Sequence, residues 1–185
     1  MVRDQIGKYS ALAMVLHWLV AVAVIVNWQI ATAAEAAPTR EARGEIMGNH
    51  FALGVVIFAL VAIRFAWRAT HPAPDPHPGH AAWEQRLARL SHGFMYALLL
   101  IMPLAGWFAM SKYDSGIDIW GIVEVPPLPV APDPDLAGTI FELHAAAGIA
   151  LLVTIAIHIL AVLKHSVLDR DGTVFRMLPF GSTKA

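Results

Sequence analysis

The sequence predicts an all-α integral membrane protein, a four-helix transmembrane bundle with both termini cytoplasmic. Three observations predict it. Four apolar runs are each long enough to cross a bilayer, Ala11–Ala34, Phe51–Trp67, Gly93–Met110 and Leu143–Leu163. Charge is scarce: 57% of the 185 residues are hydrophobic and 15% charged, with mean hydropathy +0.58, whereas a soluble domain carries about 25% charged residues. Lysine and arginine also gather on alternate connections, which orients the bundle.

The first run follows a polar start containing Arg3 and Lys8, and Thr32-Ala33-Ala34 resembles a cleavage site. Its 24 residues exceed the roughly 7–15 of a secretory signal core, so it reads as a retained span. Asn27, Gln29 and Arg64 interrupt their runs without disqualifying them, because polar groups in spans face a packed interior or snorkel. Pro103 should kink the third run. Between spans two and three, Pro72, Pro74, Pro76 and Pro78 exclude helix, and Trp83–Leu90 reads as a short amphipathic lead-in. Residues 111–142 are proline-rich, with Ile117–Val123 as a small interfacial helix and Trp120 at headgroup level. The whole chain, 1–185, reads as one transmembrane domain.

With the termini and the middle connection on one side, that side holds Arg3, Lys8, Arg64, Arg68, Arg86, Arg89, Lys164, Arg170, Arg176 and Lys184. The other holds Arg40, Arg43 and Lys112. Ten basic residues against three mark the first side as cytoplasmic. Net charge is −1, so nothing points to nucleic acid. The absence of cysteine excludes disulfides, thiolate-held clusters and covalent haem attachment. Nine histidines remain as the good ligands for a transition metal.

Sorted by depth, four histidines form two levels. His50 and His144 open spans two and four near the outer face. His17 and His158 lie toward the cytoplasmic ends of spans one and four. His144 and His158 are 14 residues apart, which places them on one helix face ~21 Å apart. That separation suits two stacked cofactors in a core ~30 Å thick. A histidine in a span is as often an interhelical hydrogen bonder as a ligand. Four at two matched depths favour ligands, and neutral imidazole is a standard axial ligand of haem iron. Paired histidines close the iron to oxygen and suit electron transfer. Gly54 and Gly148, each four residues after a ligand, and Ala13 and Ala21 beside His17 leave room for a flat macrocycle, although small residues also pack helices.

His92 and His165 lie at the cytoplasmic end, where both could line a quinone pocket next to the inner pair; interfacial polar roles are equally expected. Arg64 and Arg68 end span two and are candidates to bind haem propionates, with snorkelling as the alternative. His71, His77 and His80 sit in the proline ladder and are expected to be solvent-exposed and without function.

Lys8-Tyr9-Ser10, His17-Trp18, His50 four before Gly54, Leu87–Pro103 with His92 and Tyr96, His144, His158 and the ending Phe175-Arg176-Met177-Leu178-Pro179 together resemble the bacterial cytochrome b561 family. The resemblance implies a four-helix cytochrome of the bacterial inner membrane with two haem b groups, ligated at His17, His50, His144 and His158. It further implies a superoxide oxidase, a superoxide:ubiquinone oxidoreductase that takes electrons from a small periplasmic donor, with ubiquinone near His92 and His165. A cytochrome b subunit of a hydrogenase or another periplasmic dehydrogenase is the alternative, and a haem-free divalent-metal transporter a remoter one. One feature opposes superoxide: the outer segments carry Glu35, Glu41, Glu45, Asp114, Asp118, Glu124, Asp133, Asp135 and Glu142, and an acidic face repels an anion.

Overall fold

A computed structural model describes residues 7–75 and 79–183. Pro76, His77 and Pro78 of the proline ladder, and Arg3 and Lys184 of the charge count, lie outside the described residues. Four long helices carry the chain: α1 (Ala11–Glu35), α2 (Arg40–Thr70), α3 (Ala82–Lys112) and α4 (Pro134–Leu163). All four are long and apolar enough to span a membrane. Helices α2 and α3 have 31 residues each; at ~1.5 Å per residue they outreach a ~30 Å hydrocarbon core.

Polar residues cap the helices, and α2, α3 and α4 start earlier than their apolar runs. Ser10 Oγ accepts from Ala13 N at the start of α1. Thr39 Oγ1 accepts from Ala42 N, so α2 begins at Arg40, well before Phe51, its first turns polar and clear of the apolar span. Glu84 Oε2 accepts from Ala81 N, and Trp83–Leu90 runs without a break into α3. Asp133 caps α4 through Leu136 N, with Pro134 in the first turn, where its missing N–H costs nothing. Helix α3 continues through Pro103.

The expected helix at Ile117–Val123 is replaced by a hairpin. Strands β1 (Ile117–Ile119) and β2 (Val123–Val125) pair antiparallel, Ile117 opposite Val125. Trp120 and Gly121 both have positive φ, 52° and 71°, the signature of a tight hairpin turn. The Asp118 carboxylate accepts from Gly121 N, and the flanking β-branched residues prefer a pleat to a helix. Trp120 still reaches the bundle, donating its indole N–H to Asn49 Oδ1 of α2.

Helix α1 packs along α2 and α3 along α4, with α2 against α3 joining the pairs. Val20, Val24, Ile57, Val61 and Leu151 form the buried centre, surrounded by Met95, Tyr96, Leu98, Leu99 and Met102. Outside it, Leu143, Ile149, Val153 and Leu160 of α4 are exposed, an apolar surface suited to lipid rather than water. A π-turn (Lys164–Asp169) and a 3-10 turn (Thr173–Met177) end the chain. This tail folds across one end of the bundle: Tyr9 N donates to Arg176 O, Trp18 Nε1 to Met177 O and Arg176 Nη2 to Asp75 O. The N-terminal segment, the α2–α3 connection and the tail therefore share one end.

Candidate functional site

The two histidine levels meet across helices. His50 of α2 and His144 of α4 have ring centroids 6.1 Å apart, with planes at 75°. His17 of α1 and His158 of α4 are 6.5 Å apart at 71°. A nitrogen held ~2 Å from a metal puts its ring centroid ~3 Å away, so two rings on opposite sides of one iron stand ~6 Å apart. Axial ligation leaves rotation about the metal–nitrogen axis free, so steeply crossed planes are no obstacle. Both pairs fit that spacing.

Hydrogen bonding orients the outer pair. His50 Nδ1 lies 3.1 Å from the Asn27 carbonyl, which holds the proton there and leaves Nε2 as the donor atom, the usual arrangement behind a metal-bound imidazole. His144 Nδ1 is buried and finds no geometric hydrogen-bond partner among the described residues. Gly106 of α3 lies beside that ring: an added Cβ there would stand 3.7 Å from His144 Cε1, in ordinary van der Waals contact. Gly54 and Gly148 have helix neighbours: a side chain there would first meet Asn27 and Met102, respectively.

The inner pair has two further companions. The His92 ring of α3 lies 5.3 Å from that of His158. Arg64 is 9% exposed, donates Nη1 to the Ala13 carbonyl and stands 6.0 Å from the Tyr96 ring. It has no carboxylate within salt-bridge distance among the described residues. A buried guanidinium without a counter-ion is expensive, and an anionic group of a cofactor would offset it. Arg68 behaves differently: partly exposed, it lies 5.0 Å over the Tyr9 ring and donates to the His71 carbonyl. The histidine spacing thus fits a haem at each level, and Arg64 adds a buried cation at the inner one.

His165 and His92 part company. The π-turn rotates the helix beyond α4, and His165 makes its contacts with Asp169, Asp171 and His80. His80 is not the exposed loop residue the proline ladder suggested. Its side chain is 14% exposed and its Nε2 lies 2.9 Å from Asp171 Oδ2, because the tail folds back over it. Burial works to raise the Asp171 carboxyl, but hydrogen bonds from Thr173, His80 and His165 outweigh it and hold the group well below the usual carboxylate range. His71 is exposed and stacks on Trp67, and His77 lies outside the described residues. Asn27 and Gly106 were legible only as a lone polar residue and a small residue in spans. Asp171 carried no signal, since its partners are 91 and 6 residues away.

A profile of the family described as prokaryotic cytochrome b561 matches residues 8–180. The chain belongs to that family. It is a membrane electron-transfer protein of oxidoreductase type, multi-pass in the bacterial inner membrane, and family membership implies haem b binding. A cytochrome b561 protein of this family needs redox partners as well as its bilayer. Among relatives, a Yersinia pestis protein named "Probable superoxide oxidase CybB" is 29% identical over 93% of this chain and 96% of its own. "Cytochrome b561 homolog 2" of Escherichia coli K12 is 28% identical over 70% of this chain and 68% of its own. "Cytochrome b561 homolog 1" of the same strain is 24% identical over 94% and 98%.

Proposed function

We propose that this cytochrome carries electrons from a small periplasmic donor, superoxide, to ubiquinone, with His50 and His144 holding one haem b and His17 and His158 a second. The observation that carries the reading is the pair of 6.1 and 6.5 Å histidine contacts at two depths of one bundle. Haem supplies a one-electron carrier that needs no open coordination position. The net reaction is two superoxide, one ubiquinone and two protons giving two dioxygen and one ubiquinol.

The chain's own residues divide the work. The Asn27 carbonyl fixes the tautomer of His50. Gly106 packs beside the His144 ring. Arg64 offers a dehydrated positive charge beside the inner pair, suited to a carboxylate. His92, 5.3 Å from His158, is the group best placed to donate a hydrogen bond to a quinone carbonyl at that end, with His165 nearer the tail. The end that gathers both termini and most of the lysine and arginine is assigned to the cytoplasm, so protons for quinone reduction would come from there. The likeness to a relative named a superoxide oxidase supports superoxide as donor. The acidic outer segments make Arg40, Arg43 and Lys112 the basic groups available to attract it.

A reduced-minus-oxidised visible spectrum of the purified protein, with haem counted per chain, tests the cofactor assignment; two b-type haems are expected, and none would overturn it. Superoxide-dependent reduction of a short-chain ubiquinone then tests the donor. Haem-replete protein that ignores superoxide but is reduced by a co-purifying periplasmic dehydrogenase would move the assignment to an electron-transfer subunit.

A further inference from the structure

We propose that His80, His165 and Asp171 form a binding site for a first-row transition-metal dication at the tail end of the bundle. The three side chains come from the approach to α3, the π-turn after α4 and the C-terminal segment. Their donor atoms, His80 Nε2, His165 Nδ1 and Asp171 Oδ2, all lie within 4.8 Å of one another. Asp171 Oδ2 is 2.9 Å from the first nitrogen and 2.7 Å from the second. Adjacent ligands on an octahedral ion with ~2.1 Å bonds stand ~3 Å apart, so a dication could enter with small movements. Two imidazoles and a carboxylate, without sulfur, suit zinc, iron or nickel better than magnesium or calcium.

The surroundings support a built site. Asp171 Oδ1 accepts from Thr173 N at 2.9 Å, and Thr173 Oγ1 lies 3.1 Å from His80 Nε2. Asp169 Oδ2 is 3.0 Å from His165 Nδ1 and offers a second carboxylate. Lys164, 2.6 Å from both Asp169 and Glu84, now balances that carboxylate. Both ring nitrogens face one oxygen, an arrangement that requires a proton on each. A dication would take the place of those protons, each ring carrying its N–H on the other nitrogen, and would clamp three segments that share no helix. The site takes Nδ1 of His165 and leaves the other ring nitrogen to any quinone.

The test uses haem-loaded protein in detergent, stripped with EDTA and titrated with zinc, with metal counted after desalting and examined by X-ray absorption at the zinc edge. One zinc per chain with two imidazoles and oxygen donors is expected. His80→Ala and Asp171→Asn should each weaken zinc binding by more than ~10-fold, the lower end of what loss even of an outer-shell partner costs. His71→Ala, at an exposed histidine, should leave it unchanged. If Asp171→Asn loses its haem spectrum and has misfolded, His80→Ala with a normal spectrum decides. No zinc in the wild type, or equal zinc in the wild type and His80→Ala, overturns the proposal. The zinc count and the haem spectrum are separate readouts, so this site can fail while the haem assignment stands.

Discussion

Arg64→Met tests the inner level most sharply. The guanidinium is 9% exposed, donates to one backbone carbonyl and lies beside the elements that carry His17, His92 and His158. Its desolvation has already been met by folding, so a carboxylate that arrives with a cofactor gains a charge-assisted hydrogen bond without repeating that cost. Such bonds contribute about 1.5–3 kcal/mol. Methionine keeps the length and the packing but removes the charge. The apo bundle should be no less stable, since an unpaired buried ion is removed. Cofactor affinity at the inner level should fall by roughly 10- to 150-fold, at about 1.4 kcal/mol per decade. The assay is haem titration of apo protein in two backgrounds, one keeping only the inner pair (His144→Ala) and one keeping only the outer pair (His158→Ala). Arg64→Met should weaken the first and leave the second alone. Equal effects in both, or none in either, would refute the assignment of Arg64 to the inner site. Arg64→Lys should recover part of the loss, because the charge returns but the bidentate fork does not.

His144→Ala should halve the haem content to one per chain and abolish reduction by superoxide, while circular dichroism keeps its helical signal; two haems in that variant would count against His144. Asn27 presents only its backbone carbonyl to His50, so Asn27→Ala should retain the outer haem, whereas His50→Ala should lose it, as read from pyridine haemochrome counts. Asp171 has its carboxyl lowered from 3.8, so the stability it contributes is complete above that value and is lost as pH falls below it. In EDTA, Asp171→Asn should therefore melt below the wild type at neutral pH, with the gap narrowing on acidification; a gap that widens in acid would contradict the pairing with Thr173, His80 and His165. Gly181 has φ +81° and a side chain there would collide with the Phe175 ring. Gly181→Ala should cost about 1–3 kcal/mol of local stability, seen as earlier proteolysis of the tail with the haem spectrum intact.

Four spans, their alternation and the two depths of histidine were legible in the sequence, because a bilayer imposes a length and a hydropathy on any helix that crosses it. His144 and His158 share a helix, so their common face follows from periodicity alone. What periodicity does not contain is contact between helices. Only the tertiary structure brings the ring of His50 to His144 and that of His92 to His158, buries Arg64 instead of letting it snorkel, and sets the Asn27 carbonyl behind His50. The hairpin at Ile117–Val125 replaced an expected helix because turn chemistry at Asp118 and Gly121 outweighs the apolar character that suggested an interfacial segment. The His80, His165 and Asp171 cluster was invisible for a related reason. His80 and Asp171 are 91 residues apart, and their meeting depends on a π-turn that rotates the end of α4 and on a tail that folds back under the bundle. Local pattern selects the elements; the convergence of side chains from separate elements is decided by how they pack.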